Sequence, residues 1–325
     1  MQSQISRIVV LGTGGTIAGT SVDGSDNVGY TAGQLSVASL LEAIPALAGV
    51  ALDIEQVAQV DSKDMDHAVW QRLAWRCAHH LARPEVAGLV VTHGTDTLEE
   101  TAWFLQRVLD PAKPVVLTAA MRPATAMHVD GPQNLLDAVA VARVPGARGV
   151  VAVLGGQVHG ARDVRKVHPY RVDAFSSGDA GLIGVVEEGV LRRFRDWPHD
   201  AAIGIAALPV DSSAWPMVEI VTSHAGAMGR LVQALCAVGV KGIAVAATGN
   251  GTLHRELEAA LREAQRDGVE VLRSTRCGNG CVVSSIDATL PGADDLTPPK
   301  ARVELMLRLI VARAGVQGSP GSLTS

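Results

Sequence analysis

The chain has 325 residues, enough for two domains that each bury a core. The formal net charge is -5 and the lysines and arginines are scattered, so we do not expect the basic stripe that nucleic-acid binding requires. No apolar run approaches the roughly 18 residues that cross a bilayer, which argues against a membrane protein.

Short β-branched runs alternate with amphipathic stretches in the first 190 residues. The runs predict buried strands at 7–11, 86–91 and 115–117, and the amphipathic stretches predict helices at 65–83, 98–109 and 134–143. Aromatic residues make up only 3%, a composition that suits parallel strands covered by small-residue helices. This order predicts an α/β fold with a large N-terminal domain built on a mostly parallel sheet.

The periodicity is lost around residues 190–216, where charged residues crowd beside Trp197 and Pro198. We predict a linker at 191–216 between an N-terminal domain of residues 1–190 and a C-terminal domain of residues 217–325. In the latter, strands are predicted at 218–221, 242–246 and 269–272, and helices at 227–238, 253–267 and 299–314. The second domain is therefore a smaller α/β unit.

Four cysteines are too few for a disulfide scaffold, and we expect Cys277 and Cys281 to be free thiols. His79, His80 and His128 lack the spacing of zinc ligands, so we expect no metal and no cofactor. Residues 1–20 lack the pattern of a signal peptide. Together these features favour the cytoplasm.

A loop rich in glycine and threonine, residues 12–19, follows the first predicted strand. Ligands in such sheets bind at the carboxyl ends of strands, where this loop would present the hydroxyls of Thr13 and Thr16. One alternative is a dinucleotide or phosphate cradle. Ile17, however, occupies the place of the third glycine in G-x-G-x-x-G, and the loop lacks the lysine of a P-loop.

The segment 92–100 joins another buried strand to a helix. Thr97 and Glu100 could form a capping box, a purely structural interpretation. Thr95 and Asp96 nevertheless lie at the strand's carboxyl end, where a hydroxyl and a carboxylate could meet a substrate's amide and ammonium groups.

Together, T-G-G-T-I-A-G at 13–19 and T-H-G-T-D-T-x-E-E-T-A at 92–102 resemble the two signatures of the bacterial-type L-asparaginase family. The resemblance continues at 120–123, 130–132, 160–166 and 300–303, so it covers nearly the whole chain. It implies hydrolysis of the side-chain amide of L-asparagine to L-aspartate and ammonia through a threonine acyl-enzyme, with L-glutamine as a possible second substrate.

The resemblance also implies catalytic roles. Thr13 resembles the nucleophilic threonine, and Tyr30 the tyrosine that orients it. Thr95 resembles a second catalytic threonine, which is paired with Lys166 and supported by Asp96. A threonine hydroxyl is a poor nucleophile until a positioned base takes its proton, so these residue types fit amide hydrolysis.

The remaining roles concern substrate binding and assembly. Ser62 matches the serine that binds the α-carboxylate, and Asp96, beside Thr95, matches the acid that holds the α-amino group. Asn250 and Thr252 lie in the stretch that the family contributes from a neighbouring subunit. The resemblance therefore implies a homotetramer, a dimer of dimers.

Two positions depart from the family pattern. The glutamate that the family supplies across the interface has no clear counterpart, and Asp287, the nearest candidate, is left unassigned. Lys63 places a cation where the substrate ammonium should lie. We expect it to be displaced or paired with a carboxylate, and to weaken substrate binding.

Three other functions remain open from the sequence. A non-catalytic amino-acid-binding protein would bind asparagine without releasing ammonia, although Thr13, Thr95 and Lys166 argue against it. An asparaginase-like amidotransferase subunit would usually carry extra domains. A nucleotide-binding protein would need an intact glycine fingerprint.

Overall fold

The computed structural model describes residues 6–283 and 289–317. The chain divides into two compact units, residues 1–205 and residues 206–325. This division falls inside the stretch 191–216 that the sequence analysis assigns to a linker. The α/β class predicted from the sequence is confirmed in both units.

The first unit is built on an eight-stranded sheet. Its first six strands are β1 (Arg7–Gly14), β2 (Leu52–Val60), β3 (Val86–Thr92), β4 (Val115–Thr118), β5 (Val150–Leu154) and β6 (Gln157–Gly160). A short separate pair follows in the chain, β7 (Arg165–Lys166) and β8 (Phe175–Ser176). The last two strands of the large sheet are β9 (Gly184–Glu187) and β10 (Val190–Arg193). The order across the sheet is β10-β9-β6-β5-β4-β3-β1-β2. The strands β2, β1, β3, β4 and β5, neighbours in this order, pair in parallel. The strands β6, β9 and β10 add antiparallel pairs.

Four helices accompany this sheet: α1 (Val37–Glu42), α2 (His67–Leu81), α3 (Leu98–Leu109) and α4 (Gly131–Ala142). Val10, Val90, Val116 and Val151 of the central strands are fully buried and pack in one cluster with apolar residues of α4 such as Leu135. Burial on both faces explains why these strands read as continuous apolar runs.

Two predicted boundaries shift for local reasons. The second helix begins at His67 because Asp66 caps it, its side chain accepting a hydrogen bond from Val69 N at 2.8 Å. The fourth helix begins at Gly131, three residues before the predicted start, with Pro132 in its first turn, where a missing N–H costs nothing.

One part of the predicted linker is a strand. β10, residues Val190–Arg193, pairs antiparallel with β9 through a turn in which Glu188 and Gly189 both have positive φ, 49° and 73°. Such a turn suits a tight hairpin. The strand carries Arg192 and Arg193 at the edge of the sheet, so it lacks the apolar pattern from which a strand is predicted.

The second unit contains the parallel sheet β11-β12-β13, formed by β11 (Val218–Thr222), β12 (Gly242–Ala247) and β13 (Glu270–Thr275). Its helices are α5 (Arg230–Ala237), α6 (Arg255–Arg266) and α7 (Pro298–Gln317). Helix α6 buries Leu257, Ala260, Leu261 and Ala264, the spacing of one helix face. Within the described residues, no helix is both long and apolar enough to cross a membrane.

Candidate active site

Two loops of the first unit meet at the carboxyl edge of its parallel sheet. Strands β1 and β3 are neighbours, with Gly12 opposite Thr92, so both chains leave the sheet at the same place. A Cβ atom added to Gly15 would lie 2.3 Å from Gly94 Cα. The two backbones are therefore in direct contact, and only glycine permits this approach.

The two threonines of the first loop have different surroundings. Thr13 belongs to β1, is 1% exposed, and donates its hydroxyl to the carbonyl of Thr92 at 2.8 Å. Thr16 lies beyond the strand, in a short 3-10 turn, and its Oγ1 is 2.7 Å from the hydroxyl of Tyr30. The structure thus pairs Tyr30 with Thr16 rather than with Thr13, because the chain turns out of the sheet at Gly14 and Gly15.

The second loop meets a lysine from the short strand β7. Lys166 Nζ lies 2.8 Å from Thr95 Oγ1 and 2.6 Å from Asp96 Oδ1. The lysine side chain is 17% exposed, whereas that of Asp96 is 54% exposed. The structure thus brings together three of the predicted catalytic residues, with one ammonium group between a hydroxyl and a carboxylate.

Ser62 contacts the backbone and side chains of this second loop. It is 2% exposed, and its Oγ accepts a hydrogen bond from Asp96 N at 3.1 Å, which leaves the serine hydroxyl hydrogen free to donate. Its carbonyl accepts a hydrogen bond from Thr97 Oγ1 at 2.8 Å. The threonine side chain therefore does not cap α3, and the interpretation of this motif as a capping box is wrong.

Lys63, next to Ser62, is turned toward two carboxylates. Its ammonium lies 2.7 Å from Asp61 and 3.1 Å from Asp64, and its side chain is 62% exposed. Hydrogen bonds to Asp61 and then Asp64 raise the pKa of this lysine. The cation is paired on the surface, the arrangement that the sequence analysis favoured.

A fully buried histidine, His93, adjoins the same loop and was missed by the sequence analysis. Its Nδ1 is 2.7 Å from the carbonyl oxygen of Gly94, and its Nε2 is 3.0 Å from Thr101 Oγ1. Desolvation lowers the pKa of His93 to about 4. Only its position at the end of a predicted strand, inside the motif, could have drawn attention to it.

Asn250 and Thr252 belong to the second unit. The Asn250 side chain exchanges two hydrogen bonds with the backbone of Val283, at 3.0 and 2.7 Å, while Thr252 pairs with Thr248 across a small turn. Their role toward a neighbouring subunit stays a prediction. Asp287 lies outside the described residues.

The side chains that could bind a metal are not clustered in the part of the chain that the structure describes. No group of three or more histidine, cysteine, aspartate or glutamate side chains is arranged there to hold an ion. Cys277 and Cys281 are free and exposed. Cys77 is also free but fully buried, and desolvation strongly raises the pKa of its thiol.

Comparison with known proteins assigns both units. Residues 7–198 match the family described as Asparaginase, N-terminal, and residues 217–313 match the Glutaminase/Asparaginase C-terminal domain. The chain is 38% identical to L-asparaginase 2 of Bacillus subtilis over 95% of this chain and 84% of that protein. It is 35% identical to a glutaminase-asparaginase of Pseudomonas fluorescens over 95% and 87% of the two chains. The crystal structure of a probable cytoplasmic L-asparaginase from Campylobacter jejuni is similar, with a TM-score of 0.88, 40% identity, and coverage of 94% and 95%.

Proposed function

Since this chain belongs to the asparaginase family and is an L-asparaginase-type amidohydrolase, we propose that Thr16 and Thr95 carry out the hydrolysis of the L-asparagine side-chain amide. The observation that carries the proposal is the contact of Lys166 with both Thr95 and Asp96. A hydroxyl, an ammonium and a carboxylate placed in sequence at the carboxyl edge of a parallel sheet form a proton-handling group beside a substrate position.

Thr16, rather than Thr13, is the nucleophile in this proposal. Its hydroxyl faces the Tyr30 hydroxyl, which can donate or accept a proton, whereas the Thr13 hydroxyl is committed to a buried backbone carbonyl. The Thr16 oxygen bonds to the amide carbon, and its proton passes to the departing nitrogen, which leaves as ammonia. Water then hydrolyses the ester to L-aspartate and restores the threonine.

Thr95 and Lys166 assist this transfer. Lys166 donates to Thr95 Oγ1, so the threonine hydrogen is directed away from the lysine, toward the substrate. Asp96 balances the lysine charge. Backbone N–H groups of the two glycine-containing loops would stabilise the negative charge that develops on the amide oxygen.

Substrate binding uses the same loop. Ser62 has a hydroxyl hydrogen available for the α-carboxylate, and Asp96 exposes enough of its carboxylate to take the α-ammonium. Similarity to glutaminase-asparaginases supports L-glutamine as a second substrate. A homotetramer, in which Asn250 and Thr252 complete the site of a neighbouring subunit, and a cytoplasmic location complete the proposal.

The test is ammonia release by a pair of volume-conserving variants. Thr16→Val should lose at least about 10²-fold in kcat, the usual effect of removing a reacting group. Thr13→Val, the matched control three residues away, should keep most of its turnover and lose only about 1 kcal/mol of stability with its buried hydrogen bond.

The opposite ranking would overturn the assignment of Thr16. Parallel assays with L-asparagine, D-asparagine and L-glutamine define the substrate. Tight binding of L-asparagine without ammonia release by the wild-type protein would instead favour a non-catalytic binding protein.

A further inference from the structure

The imidazole of His93 is part of a buried chain of hydrogen bonds that ends at the catalytic loop. Trp70 Nε1 lies 2.8 Å from Thr101 Oγ1, Thr101 Oγ1 lies 3.0 Å from His93 Nε2, and His93 Nδ1 lies 2.7 Å from Gly94 O. The Trp70 ring is itself stacked on the Phe104 ring, with 5.0 Å between the ring centroids. This series of hydrogen bonds therefore links helices α2 and α3 to the catalytic loop.

The two ends of this series of hydrogen bonds fix the direction of its outer two bonds. An indole N–H can only donate and a carbonyl oxygen can only accept. Thr101 therefore accepts from Trp70 and has its single hydrogen left for His93 Nε2. Because Gly94 O can only accept, Nδ1 carries a proton, and a neutral ring then accepts the Thr101 hydrogen at Nε2.

Burial agrees with this protonation state. His93 is 0% exposed, and desolvation lowers its pKa to about 4, so the ring stays neutral at physiological pH. A second proton, on Nε2, would point at a hydroxyl whose hydrogen would then lack an acceptor within this chain. The neutral ring is thus the form that satisfies the network.

Gly94 needs such support. It has no Cβ, and its Cα packs between Ser62 and Gly15, where a Cβ would lie 2.4 Å from the serine Oγ. Glycine has the widest backbone freedom of any residue, and its carbonyl belongs to the peptide unit that carries the nitrogen of Thr95. A rotation of this peptide would move the Thr95 side chain relative to Lys166.

We propose that His93 is a positioning residue, whose Nδ1–H bond to the Gly94 carbonyl fixes the peptide between Gly94 and Thr95 and thereby the Thr95 hydroxyl. This inference rests on the proposed role of Thr95. His93 itself touches no reacting atom in this scheme, so its effect is on the geometry from which the proton is transferred.

Two substitutions of His93 by an amide side chain distinguish the effects of the two hydrogen bonds that the ring makes. In His93→Asn the amide nitrogen is bonded to Cγ, as Nδ1 is, so it can still donate to Gly94 O. In His93→Gln the polar atoms lie one bond further out, toward Thr101. We expect kcat to fall about tenfold in His93→Gln, within the roughly 10²-fold that a 1 Å misplacement can cost, and to recover to within about threefold in His93→Asn.

A spectroscopic measurement makes the test independent of turnover. Nitrogen-15 spectra of the wild-type histidines should contain one ring protonated at Nδ1 that does not titrate between pH 5 and 8, and His93→Asn should remove that signal. A ring protonated at Nε2, or equal loss of kcat in both variants, would overturn the inference. If the spectra agree but Thr95→Val keeps full turnover, the proposed function fails rather than the positioning of Gly94.

Discussion

His93 should make the protein lose stability on mild acidification. Its pKa is about 4 in the folded chain against an ordinary 6.5, because burial disfavours the charged ring. Between these two values the unfolded chain binds a proton that the folded chain does not. The free energy of unfolding therefore decreases as the pH falls through about 6.5, and this contribution levels off below about 4.

The size of the effect follows from the same two values. The interval from 6.5 to about 4 corresponds to roughly 3 kcal/mol, at about 1.4 kcal/mol for each tenfold change in proton affinity. The stability lost by pH 4 is thus a large fraction of the roughly 5–15 kcal/mol that holds a typical protein folded.

Denaturant unfolding at a series of pH values from 4 to 7.5 measures this loss. His93→Asn is the reference, because asparagine does not titrate and all other groups are common to the two proteins. Carboxylates such as Asp53 and Glu55, whose pKa values are lowered by hydrogen bonds to arginines, cancel in the difference. If the two curves ran parallel from pH 7.5 to 4, the reasoning about a buried neutral ring would be refuted.

Two further predictions concern lysines beside the site. Lys166→Met should lower kcat at least about 10²-fold while the protein stays folded, because it removes the donor to Thr95. Ammonia release measures the turnover and circular dichroism the folding, and near-normal turnover would contradict this prediction. Lys63→Gln should change the KM for L-asparagine less than about threefold and the stability by less than about 1 kcal/mol, because its exposed ammonium is already paired; steady-state kinetics decide, and a large fall in KM would place this cation in the ammonium pocket.

The central strands and long helices could be predicted from the sequence because their patterns are local. β3, β4 and β12 are buried on both faces and read as uninterrupted apolar runs. Helix α3 occupies residues Leu98–Leu109, the bounds that were predicted, and it is buried on nearly all sides, with residues 101–106 all buried. In both cases burial imposes the pattern directly.

Edge strands could not be predicted in the same way. β2 lies at the end of the sheet and alternates buried and exposed residues irregularly, with Asp53 and Glu55 paired to arginines rather than packed in the core. The hairpin of β9 and β10 is likewise at an edge, and its arginines point away from the apolar core. β2 is defined by its pairing with β1, which is distant in sequence, whereas β10 is defined by a hairpin turn and carries no apolar alternation.

The sequence motifs predict which loops form the candidate site, and the contacts in the structure distinguish the two hydroxyls of the first loop. The family motif placed Thr95, Asp96 and Lys166 in one site, and their contacts agree with that expectation. It could not separate Thr13 from Thr16, because both follow the strand predicted at 7–11 and are three residues apart. The distinction depends on where β1 ends, at Gly14, and on a tyrosine hydroxyl that approaches from another loop.

The same close approach of the two loops explains the glycines that first suggested a phosphate cradle. In a cradle, glycines let backbone N–H groups reach a ligand. Here Gly15 instead lies against the backbone of Gly94, and Gly14 against that of Val60, both with positive φ. These glycines allow two backbone segments to contact each other, so that the loops bearing Thr16 and Thr95 share one edge of the sheet. A side chain at position 15 would separate the two hydroxyl-bearing loops while leaving both hydroxyls present, so the proposed two-threonine site requires this glycine spacing.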